Sequence, residues 1–189
     1  MLLDAAGRID DLDYFASSLQ RACTTMELLR DELGLPAGGY RADRRLMELD
    51  LGDFTRSSHS ALSRVIPEEL RSEPWNYVSP NGESDLMVYE RVGQFLGSLS
   101  RDSVIVTHSV PVAAVRAHYL GLSLEQAMGY HMGNAGVMRL SMGTEALFGR
   151  LIGPCRTTAS GICFASRPLA RAMGRRSAAW WMAAHPAFR

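Results

Sequence analysis

The 189-residue chain has 20 arginines, no lysine, 20 acidic residues and a hydrophobic fraction of 47%. This composition is typical of one globular domain, and the net charge of zero gives no overall attraction to nucleic acid or to an anionic membrane surface. The acidic N-terminus lacks an apolar run of signal-peptide length, no segment is apolar enough to span a membrane, and three cysteines without metal-type spacing fit a reducing compartment, so we expect a cytoplasmic protein.

A strand followed by a helix is predicted at the start of the chain. Residues 12–17 are typical of a strand, and Ser18 is placed to cap the helix that follows. Gly34 and Pro36 are placed to end this helix. An extended piece over 44–46 and a turn at Gly52 come next. The apolar residues of the helix recur at helical spacing: Leu19, Ala22, Cys23, Met26, Leu29 and Leu33.

The later elements alternate between helices and strands. They are predicted in the order helix (57–71), loop (72–84), helix after a Ser84 cap, buried strand (103–107), helix opened by Pro111, short helix from Ser123 and strand (135–142). This alternation predicts an α/β fold with a largely parallel sheet. His108 directly follows the strand 103–107, at the edge of an open parallel sheet where ligands bind.

The charge pattern changes near residue 146. The last acidic residue is Glu145, and seven arginines follow it without a sustained hydrophobic period. We therefore divide the chain into a domain over 1–145 and an arginine-rich extension over 146–189 that adds little to the core. The extension is interpreted as a poorly ordered segment, as a segment for a partner or a membrane surface, or as the product of an altered reading frame; the first and third are favoured.

Five short motifs occur in one order along the chain. SSLQRACTTMELLR (17–30) resembles "SSPLxRAxxTA", RRLMELDLGDF (44–54) resembles "RLxExxxGxWEG", SPNGES (79–84) resembles "PPGGES", and VTHS (106–109) resembles "VTHG". Residues 134–136, Asn-Ala-Gly, are similar to the turn before a last core strand. These are the motifs of the histidine phosphatase superfamily, the phosphoglycerate-mutase-like group, and the resemblance covers about residues 12–142.

The resemblance implies a three-layer α/β/α sandwich and a role for three residues. Arg21 would hold a phosphoryl group through its bidentate guanidinium. His108 would donate a hydrogen bond to the phosphoryl oxygens and stabilise their developing charge. Glu48 would be the general acid that protonates the leaving oxygen. The expected partner is a small phosphorylated substrate or phosphate. No metal, cofactor, nucleic acid or membrane is expected.

The chain departs from the family pattern at its nucleophile. In the family, a histidine of an Arg-His-Gly motif after a central first strand accepts the phosphoryl group, and this sequence contains no such motif. We expect that the first strand and helix are missing and that a gap opens beside 104–106. Two hypotheses follow: a phosphomonoesterase or phosphomutase, truncated and inactive or impaired as given, or a non-catalytic relative that binds a phosphorylated ligand or a partner.

Overall fold

A computed structural model describes residues 9–55, 66–128, 136–141, 143–148 and 179–183 of the chain. The strands in these residues are β1 Asp13–Ser17, β2 Arg41–Asp43, β3 Ser103–Thr107, β4 Val137–Ser141, β5 Thr144–Phe148 and β6 Ala179–Ala183. The α-helices are α1 Gln20–Glu32, α2 Asp85–Gly97, α3 Ser109–Leu120 and α4 Leu124–Met128. Short 3₁₀ turns lie at Arg44–Leu46, Gly52–Phe54, Glu68–Leu70 and Pro74–Asn76.

The six strands form one mixed sheet in the order β2-β1-β3-β6-β4-β5. Strands β2, β1, β3 and β6 run parallel to one another. Strand β4 runs antiparallel to both β6 and β5. The predicted α/β class with a largely parallel sheet is confirmed.

Helices cover both faces of this sheet. Successive residues of a strand point to opposite faces, so each buried strand contributes to two apolar layers. One layer, under α1, contains Tyr14, Ala16, Met26, Leu29, Val104 and Val106. The other layer, under α2 and α3, contains Phe15, Val92, Phe95, Ile105, Val112 and Val115. The arrangement is the three-layer α/β/α sandwich that the resemblance implies, and it leaves the carboxyl ends of β1 and β3 at one edge.

Local capping chemistry explains where several helices begin. The Ser84 hydroxyl accepts a hydrogen bond from the N–H of Met87 at 3.3 Å, as predicted for the start of α2. Ser123 and Gln126 exchange two backbone–side-chain hydrogen bonds of 3.0 and 3.3 Å, a capping box at the start of the short helix predicted from Ser123. Gly34 lies in the left-handed region after α1, at φ 73°.

Three predicted boundaries are wrong. Ser18 does not cap α1, because Leu19 takes the extended conformation before the helix and makes no side-chain cap. Residues 44–46 form a 3₁₀ turn instead of an extended piece, because Asp43 accepts the N–H of Arg45 at 2.8 Å. Pro111 lies in the third position of α3, which begins at Ser109. Most of the predicted helix 57–71 lies outside the described residues.

Strand β6 belongs to the arginine-rich extension and lies inside the sheet. Its backbone pairs with β3 in the register Val104↔Trp180 to Thr107↔Ala183, and with β4 on its other side. The gap that we expected beside 104–106 is therefore filled by an apolar segment from the far end of the chain. A boundary at residue 146 stays a prediction, since 149–178 and 184–189 lie outside the described residues.

Within the part of the chain that the structure describes, no helix is both long and apolar enough to cross a membrane.

Candidate active site

The candidate site lies where the neighbouring strands β1 and β3 end. These strands are parallel and pair in the register Ala16↔Val106, so Ser17 and Thr107 end at the same edge of the sheet. Helix α1 follows β1 and carries Arg21 in its first turn, while His108 directly follows β3. The sheet topology alone therefore brings Arg21 and His108 to one edge.

Glu48 reaches this edge from a loop after β2. The Thr107 hydroxyl donates a hydrogen bond of 2.7 Å to the carbonyl oxygen of Leu46, which ties this loop to the end of β3. Leu46 itself is fully buried among α2 and α3. Two residues further on, the carboxylate of Glu48 lies against the start of α3.

The Glu48 carboxylate accepts three backbone hydrogen bonds. The N–H of Ser109 donates to Oε2, and the N–H groups of Val110 and Leu49 donate to Oε1, each at 3.1 Å. Ser109 and Val110 open α3, and the first amides of a helix have no partner within the helix and form the positive end of its dipole. The carboxylate is thus held in a defined orientation beside His108.

Burial raises the pKa of Glu48 above its ordinary value, because a charged carboxylate loses its hydration there. The three amide hydrogen bonds and the positive charge of Arg21 act in the opposite direction without cancelling this effect. A carboxyl that keeps its proton to higher pH than an exposed one is suited to protonate a leaving oxygen near neutral pH.

His108 is buried and has one partner on β1. Its Nε2 lies 2.8 Å from the Oγ of Ser17, and the two atoms share a hydrogen bond. Burial, followed by the charges of Arg21 and Arg91, lowers the pKa of His108 from 6.5 to about 3. The imidazole is therefore neutral at pH 7 and offers a single N–H donor.

Arg21 is near both of the other predicted residues. Burial is the larger cause of both pKa shifts; the positive charge of Arg21 partly opposes the raised pKa of Glu48 and adds to the lowered pKa of His108, so the guanidinium lies within electrostatic range of both. The side chain is half-buried. The structure thus brings together the cation of Arg21, the neutral imidazole of His108 and the carboxyl of Glu48, whose pKa is raised.

Two loops interlock behind Glu48. The N–H of Asp53 donates to the carbonyl of Pro80 at 3.0 Å, and the N–H of Glu83 donates to the carbonyl of Asp50 at 2.7 Å. The loops touch so closely that a Cβ atom at Gly82 would overlap the carbonyl oxygen of Asp50. The SPNGES motif had indicated this loop by resemblance, and the structure shows that it supports the Glu48 segment.

Three side chains near this edge, those of Ser17, Glu83 and Arg91, have no role in the prediction from sequence. Ser17 is the last residue of the predicted strand and the first of the motif 17–30, and neither pattern indicates that its hydroxyl is fully buried and bonded to His108. Arg91 on α2 forms a bidentate ion pair with Glu83, with both N–O distances 3.0 Å.

Among the described residues, no group of three or more histidine, cysteine or acidic residues is arranged to hold a metal ion.

Comparisons with known sequences give the family of this chain. The family model of the histidine phosphatase superfamily (branch 1) matches residues 4–150. The 2,3-bisphosphoglycerate-dependent phosphoglycerate mutase of Thermoplasma acidophilum is 26% identical over 136 residues, which cover 67% of this chain and 62% of that protein. The chain therefore spans less than two thirds of the length of this curated relative.

Solved structures show the same fold. A mycobacterial glucosyl-3-phosphoglycerate phosphatase in complex with inorganic phosphate is 27% identical, with 71% of this chain and 73% of that chain covered and a TM-score of 0.52. The α-ribazole phosphatase of Shigella flexneri, 21% identical, aligns over 78% of this chain and 79% of its own with a TM-score of 0.55, a likeness of fold alone. The match over residues 4–150 covers most of the chain, which therefore belongs to the histidine phosphatase superfamily, branch 1.

Proposed function

We propose that the chain binds the phosphoryl group of a small phosphorylated metabolite between Arg21, His108 and Glu48. The observation that carries this proposal is the convergence of these three side chains at the carboxyl edge of β1 and β3. Arg21 supplies a guanidinium suited to two phosphoryl oxygens, and neutral His108 supplies a hydrogen-bond donor. The names of the mutase and phosphatase relatives support a phosphorylated small molecule as the class of ligand.

In this assignment Glu48 acts as the general acid. When an acceptor histidine of the family type is present, the phosphoryl group would pass to that histidine, and the carboxyl would give its proton to the alcohol oxygen as the bond from phosphorus to that oxygen breaks. Its raised pKa supports the assignment, since the group must be protonated before it can act. Arg21 and His108 would stabilise the charge on the equatorial oxygens during this step, which is the main contribution of a protein to phosphoryl transfer.

The proposed reaction also requires a group that accepts the phosphoryl group. The family reaction proceeds through a phosphohistidine on an Arg-His-Gly motif, and the sequence in hand contains no such motif. We therefore infer that residues 1–189 by themselves bind phosphate with turnover absent or impaired. The same observation favours the second candidate function, a non-catalytic relative that binds a phosphorylated ligand or a partner.

Phosphate binding tests the site directly. Inorganic phosphate and vanadate are titrated into the purified chain by calorimetry, alongside Arg21→Ala and His108→Ala. Loss of a hydrogen bond to a charged group costs about 1.5–3 kcal/mol, so we expect roughly ten- to hundredfold weaker binding in each variant. Arg101→Ala is the matched control, because it removes an arginine at the opposite end of β3. Folded variants with unchanged affinity would overturn the phosphate site.

Turnover separates the two candidate functions. The chain is incubated with an aryl phosphate, and acid-labile phosphohistidine is trapped in parallel. Phosphate binding without turnover, followed by turnover once an Arg-His-Gly segment is restored ahead of the chain, supports a truncated enzyme. Binding without turnover in both forms supports the non-catalytic relative. Rapid turnover by the chain as given contradicts the inferred impairment.

A further inference from the structure

Arg91 joins three segments of the chain behind the candidate site. Its Nε and Nη2 donate to the two carboxylate oxygens of Glu83, at 3.0 Å each. Its Nη1 donates to the carbonyl of Arg45 at 2.6 Å, and Nη2 donates to the carbonyls of Met47 and Glu48 at 2.8 and 3.3 Å. All three guanidinium nitrogens are thus engaged by protein groups, and the side chain is only 16% exposed.

These contacts hold the main chain around Glu48, the proposed general acid. Glu48 has its carboxylate fixed at the start of α3 and its own carbonyl fixed by Arg91, so both ends of the residue are held. The carboxylate of Glu83 also accepts the N–H of Asp50 at 3.3 Å, which secures the backbone on the far side of Glu48. A catalytic group must be held within a fraction of an ångström, and a locked supporting shell is what provides this.

We propose that Arg91 is a positioning residue for Glu48: its guanidinium, paired with Glu83, holds residues 45–48 so that the Glu48 carboxylate stays on the amides of Ser109 and Val110. The role rests on the proposed function, in which Glu48 is the acid. The role assigned to Arg91 is distinct from phosphoryl binding, because each of its three guanidinium nitrogens donates to a protein oxygen. Its charge also lies within electrostatic range of His108, which it helps to keep neutral.

The amides of Ser109 and Val110 provide a readout that requires no activity. In the wild type, their proton chemical shifts are expected to follow pH with one common midpoint, because both donate to the Glu48 carboxylate. Glu48→Gln should abolish this titration and serves as the reference. In Arg91→Ala we expect the titration to be lost as well. Arg91→Lys keeps the charge without the bidentate geometry, so we expect a titration of reduced amplitude.

Arg30→Ala is the matched control for the loss of a buried arginine. Arg30 is 6% exposed, donates to the carbonyl of Pro36 at 2.8 Å and stacks on the ring of Tyr14, on the other face of the sheet. We expect this variant to lower the melting temperature while the titration of both amides stays intact. A merely structural role for Arg91 would give the same pattern in Arg91→Ala, and that result would overturn the proposal.

Two further measurements keep the outcome decisive. If Arg91→Ala does not fold, Arg91→Lys and Glu83→Gln decide: wild-type amide titration in both refutes the positioning role, and reduced titration in both supports it. Phosphate affinity of the wild type is measured in the same samples. If phosphate does not bind but the amide titration depends on Arg91, the proposed function fails and the positioning of Glu48 stands.

Discussion

Replacing Ser17 by alanine tests whether β1 orients the imidazole of His108. The Ser17 hydroxyl is fully buried and forms the hydrogen bond of 2.8 Å with Nε2. It also accepts the N–H of Leu19 at 3.3 Å, just before α1. Ser17→Ala removes one oxygen and leaves both groups without this partner, while the shape of the site hardly changes.

The expected loss of stability follows from these two bonds. A buried polar group left without a partner costs about 1–3 kcal/mol, and the His108 nitrogen is such a group. Ser103→Ala is the matched control at the other end of β3. Ser103 is also buried, but its hydroxyl only donates to the nearby carbonyl of Arg101 at 2.9 Å, so its loss should cost about 0.5–1.5 kcal/mol.

Urea unfolding and phosphate calorimetry on both variants give the result. We expect Ser17→Ala to weaken phosphate binding by up to about tenfold, because His108 loses the bond that fixes its ring and its protonated nitrogen. Ser103→Ala should bind phosphate like the wild type. The reasoning is refuted if Ser17→Ala is folded, binds phosphate with wild-type affinity and leaves the His108 ring resonances unchanged.

Three other predictions concern acid stability, loop contact and the last strand. The pKa of His108 is lowered from 6.5 to about 3, so its contribution to stability is complete above pH 6.5 and is lost as the pH falls toward 3. The difference in melting temperature between the wild type and His108→Gln should therefore shrink across this range. Gly82→Ala should lower the free energy of unfolding in urea by about 1–3 kcal/mol, because its methyl group meets the Asp50 carbonyl. Gly97→Ala, with open space around it, should be neutral or stabilising, and equal stability of the two variants would contradict the loop contact. The free energy of unfolding of Trp181→Pro should be at least about 1 kcal/mol lower than that of Trp181→Ala, because only proline removes the backbone N–H from the middle of β6. Identical thermal melts of the two variants would argue against the pairing of β6 with β3.

The fold was predictable from the sequence where local chemistry and hydrophobic pattern agree. The run Val104–Val106 indicates a strand buried on both faces, and β3 lies there. Ser84 and the Ser123–Gln126 pair indicate helix starts through hydrogen bonds within four residues. Such short-range signals require no knowledge of the rest of the chain, and they were sufficient to identify an alternating α/β domain.

The candidate site was only partly predictable, because its contacts join distant residues. The motif resemblance indicated Arg21, Glu48 and His108, and the topology brings them together. Nothing near Arg91 in the sequence indicates that it binds carbonyls more than 40 positions away. Similarly, Ser17 and His108 are 91 positions apart, so their hydrogen bond depends on the pairing of β1 with β3. A side chain that serves a site through a tertiary contact has no local pattern.

Strand β6 shows how tertiary context overrides composition. The extension has no acidic residue and no sustained hydrophobic period, which is why it was interpreted as lying outside the core. Yet an inner strand needs only about five residues that can pair on both sides, and Ala179–Ala183 meet that requirement. The neighbouring strands β3 and β4 require such a partner, because without β6 their facing backbone N–H and C=O groups would have no strand to pair with. The position of β6 therefore depends on its pairing with β3 and β4, which the composition of the extension does not indicate.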